Sequence, residues 1–483
     1  MTDILVILLA LGLLMYFAFR GVTLLLLAPV MALLAVGLTG ALPILGAYTQ
    51  IFMGATGRFV VDFFPLFLLG AVFGKLMDDS GCAEVIAKSV IARLGADRAI
   101  LAVVLCCAVL TYGGVSLFVV AFAIFPIAAS LFRDAGIPKR LIPGAIALGA
   151  FTFTMSALPG SPAIQNAIPM PFFGTTSFAA PGLGTVAAAI MLFLGTWWLT
   201  WRSARAAAAG EGYGAHADAL PTPDTELRQH AQGEGFDIAE LGAQQTDRAL
   251  PSLAVAIAPV ALVVLVNLAF LTLVVPALDT EFLALPLFGE TRIEAVRGLW
   301  AVIVALTVAI LFLIATNWRR LIDLRASLNA GADASVLPIF NTASLVGFGA
   351  VVAALPAFGM ISEAMLDLGG GNPLVSVAVS VTALSALTGS ASGGTSIALD
   401  ALGDTFVALA AATGTSLEAM HRVTAVSSGA LDALPHNGAV ITVLAIARLG
   451  HGESYFDIFM VAVVVPMIAL VAMIGLASVF GAF

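Results

Sequence analysis

The chain has 483 residues, of which 61% are hydrophobic and only 10% charged, with a mean hydropathy of +1.08. No soluble domain of this length hides so much apolar surface, so the composition excludes a water-soluble enzyme or a nucleic-acid binder and implies a polytopic membrane protein. The formal charge of −9 falls mostly in loops and names no partner, and three cysteines (Cys82, Cys106, Cys107) make no disulfide framework.

Ile4–Phe19 lacks a basic leader and a small-residue cleavage site, so it reads as a retained span rather than a signal peptide. Val22–Leu42 follows across Arg20-Gly21, and Val60–Met77 is the third span, with Asp62 and Lys75 snorkelling to its two ends. Ser80–Arg98 sets Val85, Ile86, Val90, Ile91 and Leu94 at helical spacing among Glu84, Lys88 and Arg93, the pattern of a helix lying in the interface. Residues 99–132 are apolar but split at Tyr112-Gly113-Gly114. They are too long for one span and too short for two, which predicts a re-entrant helical hairpin. Residues 141–168 form a span broken at Ala157-Leu158-Pro159-Gly160, because Pro and Gly interrupt a helix. Thr185–Trp201 then closes the first half.

Residues 202–250 carry no apolar periodicity and are expected to be a soluble, flexible linker. Their Gly210-Glu211-Gly212-Tyr213-Gly214 follows no strand and is not a nucleotide loop. The second half repeats the programme. Ser252–Pro276, Leu299–Thr316 and Ser335–Pro356 are spans, with a hydrophilic loop at 279–297. Ala357–Leu368 is an interfacial helix, and 373–412 is a second hairpin, tipped by Thr388-Gly389-Ser390-Ala391-Ser392-Gly393-Gly394-Thr395-Ser396. Residues 422–449 are a second broken span, and Phe456–Phe480 is the last span.

The basic residues test this parsing. Arg20, Lys88, Arg93, Arg98, Arg133, Lys139, Arg140, Arg202, Arg205, Arg319, Arg320, Arg325 and Arg448 share one side only if 99–132 returns to the side it entered. By the positive-inside rule that side is cytoplasmic, as is the linker, and both termini are external to the cell inner membrane. The halves 1–201 and 251–483 then have inverted topology. Gly113-Gly114-Val115-Ser116 matches Gly393-Gly394-Thr395-Ser396 at an offset of about 280, and the Ala-Leu-Pro motifs at 157 and 433 match at 276. An all-α membrane protein of two inverted repeats, each with a hairpin and a broken helix meeting at the midplane, is the layout of a secondary transporter.

At each break a half-helix must restart, and its first amides need acceptors. Ser161 before Pro162 suits an N-cap followed by N1, and Asn437 before Gly438 takes the matching place. The two half-helix N-termini, with the hairpin tips, favour a small anion held without a buried Arg or Lys. Thr111, Gly113, Gly114, Ser116, Ser161, Asn166, Ser392, Gly393, Gly394, Thr395, Ser396 and Asn437 are the candidate substrate-binding residues. Each also serves to satisfy the broken backbone. Tyr112 either lines the site or packs beside it. Of five histidines only His436 is expected at membrane depth, with Asp432 one turn before it, where the first half has Gly160 and Ser156. Titratable groups inside a membrane are costly unless used, so His436 and Asp432 are the proton-coupling candidates, with Asp400 as a further relay. No cofactor and no metal site is expected.

The Tyr-Gly-Gly-Val-Ser hairpin at 112–116, Leu-Pro-Gly-Ser-Pro at 158–162 and Ala-Leu-Pro-His-Asn-Gly-Ala-Val at 433–440 resemble the gluconate:proton symporter (GntP) family of the ion transporter superfamily. The second motif is closer to its members assigned to D-β-hydroxybutyrate and similar short hydroxy acids. The resemblance implies a proton-coupled, elevator-type carrier of small organic acids, acting as a homodimer. Sodium coupling stays open. An intramembrane serine hydrolase using Ser392 and His436 lacks a Gly-x-Ser-Gly turn there. A channel needs a polar stripe that the spans do not show, and no P-loop supports an ATP-driven pump.

Overall fold

A computed structural model of the protein describes residues 2–20, 22–115, 117–216 and 250–483. Ser116 and most of the expected linker, 217–249, lie outside the described residues. Every regular element among the described residues is helical. In the first half these are α1 (Thr2–Phe19), α2 (Leu24–Thr39), α3 (Ile44–Asp79), α4 (Cys82–Leu94), α5 (Ala99–Tyr112) and α6 (Leu117–Asp134). They are followed by α7 (Ile142–Ala150), three short helices, α8 (Phe153–Ser156), α9 (Ile164–Ala167) and α10 (Pro169–Phe173), and α11 (Pro181–Ala208). The second half holds α12 (Leu253–Ala277), α13 (Ile293–Asn317), α14 (Leu324–Ala353), α15 (Phe358–Asp367), α16 (Pro373–Thr388), α17 (Ala391–Thr413), α18 (Leu417–Ser428), α19 (Gly438–Ala447) and α20 (His451–Phe480).

Among the described residues, seven helices are long and apolar enough to cross a membrane; an eighth is possible if the bent pair at 82–112 is counted as one span. That pair bends by 103° between α4 and α5, so the amphipathic helix leaves the direction of the span that follows it. Local signals set many boundaries. Thr23 accepts the Leu25 amide to start α2, and Asn372 accepts from Leu374 with Pro373 in the first turn of α16. Gly40 and Gly389 end α2 and α16 in the left-handed conformation.

Several boundaries move from their sequence-based places. The helix expected at Thr185–Trp201 starts at Pro181 and continues to Ala208, into the stretch read as linker. Its continuation is held: Arg140 donates to both carboxyl oxygens of Glu211 at 2.7 and 2.9 Å, and the Arg133 guanidinium lies 5.0 Å from the Tyr213 ring centre. The buried carboxylate of Asp457 gathers Arg140, Arg202 and Trp198 at the same end of the molecule. Helix α14 begins at Leu324 rather than Ser335, and the loop at 279–297 is short 3-10 turns that give way to α13 at Ile293. Lys75 does not snorkel. It is buried and pairs with Asp79 at 2.9 Å, and Asp79 also accepts from Ser327 of α14. Burying one ion pair with an extra donor satisfies both charges, which exposure alone would otherwise have to do.

Helices α3 and α14 pack together, with α13 against α3. The broken helices interlock across the halves. The short helices α9 and α10 lie against α17 and α18, while α19 lies against α6 and α7. Each restarted helix therefore rests on the other half's hairpin. The three cysteines are buried and form no disulfide.

Candidate functional site

The first hairpin closes in the tight turn after α5, where Gly114 takes φ +96, a region that strains any residue with a side chain. A Cβ on Gly114 would stand 3.2 Å from Pro162 Cγ, so the absent side chain also lets the tip sit against the break. Tyr112 locks this contact by donating from its hydroxyl to the Pro159 carbonyl at 2.6 Å. Beside the tip is a cavity of about 230 Å³. One wall is Thr111, Gly114, Pro162, Ala163, Ile164 and Gln165; the other is Leu66 and Phe67 of α3, Leu306 of α13 and Ser335 of α14. Pro338 lacks the amide that would meet the Ala334 carbonyl, and both residues line the cavity. Thr111 Oγ1 is buried without a protein partner. The wall is mostly apolar with a few polar groups, the usual chemistry of a small-solute site.

Behind the break lies a polar network centred on Asn166. Its Nδ2 donates to the Ser161 and Ser177 carbonyls at 2.9 and 3.0 Å, and its Oδ1 accepts from Arg422 at 3.0 Å. His421 Nε2 is 3.1 Å from the same Oδ1, which can only accept, so Nε2 donates there, and Nδ1 lies 2.6 Å from the Thr175 hydroxyl. Arg422 is the largest fully buried side chain described. Its guanidinium donates to the carbonyls of Ala179 (twice), Ser156 and Ser177 as well as to Asn166. All five donors are satisfied, and Gly184 of α11 leaves the room they need, since a Cβ there would fall 3.1 Å from Arg422 Nε.

In the second half, Ser390 accepts the Gly393 amide and caps α17, so the tip is only Gly389-Ser390. Ser392, Gly393, Gly394, Thr395 and Ser396, expected at the tip, lie inside the first turns of that helix. Gly394 serves packing there: a Cβ would be 2.3 Å from Ser385 Cα on the partner helix. Thr395 donates to the Ala391 carbonyl, and Ser396 Oγ is buried without a partner. Asn437 caps α19 by accepting the Val440 amide at 3.1 Å and donates to the Gly389 carbonyl at 2.8 Å. His436 packs against Gly389, and its Nε2 is buried without a partner. Asp432 is buried, and its Oδ1 is likewise unpartnered.

The structure thus brings Thr111 and Gly114 to one cavity with the first break, and His436 and Asn437 to the second tip. Gly113 packs on Val260. Ser161 does not cap a helix: its Oγ accepts the Ala163 amide at 3.3 Å, and α9 restarts only at Ile164. Asn166 spends its hydrogen-bonding capacity on protein partners. Asp400 is exposed on α17. Two expectations are corrected outright. A buried arginine does stand behind the break, and His436 is not alone at depth, because His421 is buried too. Arg422 stands at the first position of the expected span 422–449, where a charge ordinarily marks the water-facing end, and Gln165 and Ser335 carry no local signal.

An all-helical polytopic chain whose interrupted helices enclose a small cavity is built as a membrane transporter. The chain belongs to the citrate transporter (CitMHS) family, whose model matches residues 13–317, and is a secondary transporter of that family. It is 44% identical to the uncharacterized transporter YxjC of Bacillus subtilis (strain 168), over 98% of this chain and all of that one. Its fold is also similar to the crystal structure of the Alcanivorax borkumensis YdaH transporter, with a TM-score of 0.49 and 18% identity over 90% of this chain and 88% of that one.

Proposed function

We propose that the protein carries a small organic acid together with protons across the cell inner membrane, as a homodimer of elevator type built from two inverted repeats, 1–201 and 251–483. The observation that carries this reading is the cavity between the first hairpin and break on one side and α3, α13 and α14 on the other. A solute held there sits between two packed bodies, and sliding one past the other changes the side it faces. The repeat is supported by spacing. The residues ending the first hairpin helices, Gly113 and Gly389, are 276 apart (389 − 113), the spacing of the Ala-Leu-Pro breaks. In this register Asp400 matches Ile124 (400 − 276).

The family's description points to citrate, and the resemblance to gluconate carriers points to short hydroxy acids. A cavity with no Arg or Lys among its described lining residues favours a hydroxy-monocarboxylate such as 3-hydroxybutyrate or gluconate over a trianion, because buried charge needs compensation. Thr111 and Gln165 face the acid in this reading. Asp432 and His436, whose partnerless atoms occur together in the second break, exchange the proton. The basic end gathering Arg133, Arg140 and Arg202 is cytoplasmic, and both termini are external. The test is uptake of 3-hydroxybutyrate, gluconate and citrate into vesicles containing the purified protein. Accumulation driven by an inward proton gradient is expected; accumulation that follows only a sodium gradient removes the role of Asp432 and His436.

A further inference from the structure

We infer that Arg422 is the fixed charge that makes the cavity prefer an anion, acting through space from behind the first break. This rests on the reading of the cavity as an organic-acid site and deepens it. The guanidinium is fully buried, and its five hydrogen bonds all end on neutral acceptors, four on backbone carbonyls and one on Asn166. No carboxylate is among its partners. Such a cation is solvated by the dipoles around it but not neutralised, and the field of a net charge falls off more slowly than that of the dipoles.

Its position fits the cavity. Arg422 holds Ser156 and Asn166, and the residues beside these two in the chain, Met155 and Gln165, line the cavity wall. A half-helix N-terminus stands on this side too, α9 running through helical Ile168 into α10, but it supplies only a partial charge where Arg422 supplies a full one. Among the described residues, none that lines the cavity is Arg or Lys. A carboxylate entering the cavity is thus drawn by a charge it does not touch, which leaves the contact wall free for its hydroxyl and carbon skeleton. A unit charge about 10 Å away at an effective dielectric of about 20 changes binding by roughly tenfold.

The experiment measures binding of 3-hydroxybutyrate and gluconate, and of their primary amides, to the full-length protein in detergent. Wild type is expected to bind each acid at least about tenfold more tightly than its amide. Arg422→Gln is expected to lose that preference by weakening the acid alone, and Arg422→Lys to keep it. Asn166→Asp, which puts a carboxylate against the guanidinium, is expected to lose it with the arginine still in place. Wild type binding acid and amide equally overturns the inference, as does a folded Arg422→Gln or Asn166→Asp variant with the wild-type ratio. Because the wild-type ratio is read without any substitution, a variant that fails to fold does not remove the test. Wild type binding neither the acids nor citrate overturns the functional reading itself, a different outcome from equal binding of acid and amide.

Discussion

The two breaks solve the same problem with different means. In the first, the hairpin donates to the break: the Tyr112 hydroxyl meets the Pro159 carbonyl. In the second, the break donates to the hairpin: Asn437 meets the Gly389 carbonyl while its other side-chain atom caps α19. The first break restarts at Ile164 without a side-chain cap, in a helix that runs through Ile168 into α10, and relies on Arg422, Asn166 and Ser177 to satisfy its backbone. The second restarts in a ten-residue helix with a proper cap, and keeps unpartnered atoms on Asp432 and His436. A saturated network suits a rigid wall, and buried groups with spare capacity suit exchange with a mobile partner. Under the proposed function, the solute belongs to the first half and the proton to the second.

The sharpest way to break that assignment is to compare Asp432→Asn with Ser156→Ala at the equivalent position. Proton-driven accumulation in vesicles should disappear in the first and persist in the second; equal loss in both would dissolve the division of labour. Next in size, Asn166→Leu strips an acceptor from buried Arg422 and His421 and orphans the Ser161 carbonyl, so the protein should lose about 3–5 kcal/mol in chemical unfolding. The hairpins should also respond differently to bulk. Gly394→Val drives a side chain into the Ser385 backbone and should cost about 3 kcal/mol or more. Gly114→Ala pays mainly for its positive φ, about 1–3 kcal/mol, and should shift the melting temperature less.

The two tip-to-break fastenings give a finer comparison. Asn437→Ala loses a cap and a hydrogen bond, about 2 kcal/mol, whereas Tyr112→Phe loses one hydrogen bond, about 1 kcal/mol. The smallest effect belongs to the fastening at the base of the first broken helix. The Arg140 guanidinium beside Glu211 holds that carboxyl below its ordinary value of 4.5. A lowered folded value means the stabilisation is fully present above the ordinary value and is lost as pH falls through the folded one. A small melting-temperature gap between wild type and Glu211→Gln should therefore hold at neutral pH and close in acid, the pair being partly exposed.

Much of the plan is legible in the chain itself. Composition alone implies a membrane protein. Apolar runs place the spans, and Pro with Gly marks both breaks, because those residues act on their own backbone whatever surrounds them. Asn437 is readable as a cap for the same reason. The hairpin register is less legible: the Gly-Gly at 393–394 draws the eye to a tip, yet Ser390 starts the helix first and Gly394 is spent on a close helix crossing. Ser161 misleads similarly, since a cap works only where a helix follows at once.

What the sequence by itself determined is the set of interruptions and their 276-residue recurrence. Only the tertiary structure decided which groups fill them. Arg422 reaches Ser156 from 266 residues away, and Asn166 joins His421 across 255. Helix periodicity and break chemistry depend on neighbours within a turn or two, whereas the partner of a buried charge is set by how distant helices pack. No local pattern distinguishes an arginine ending a span from one held inside it.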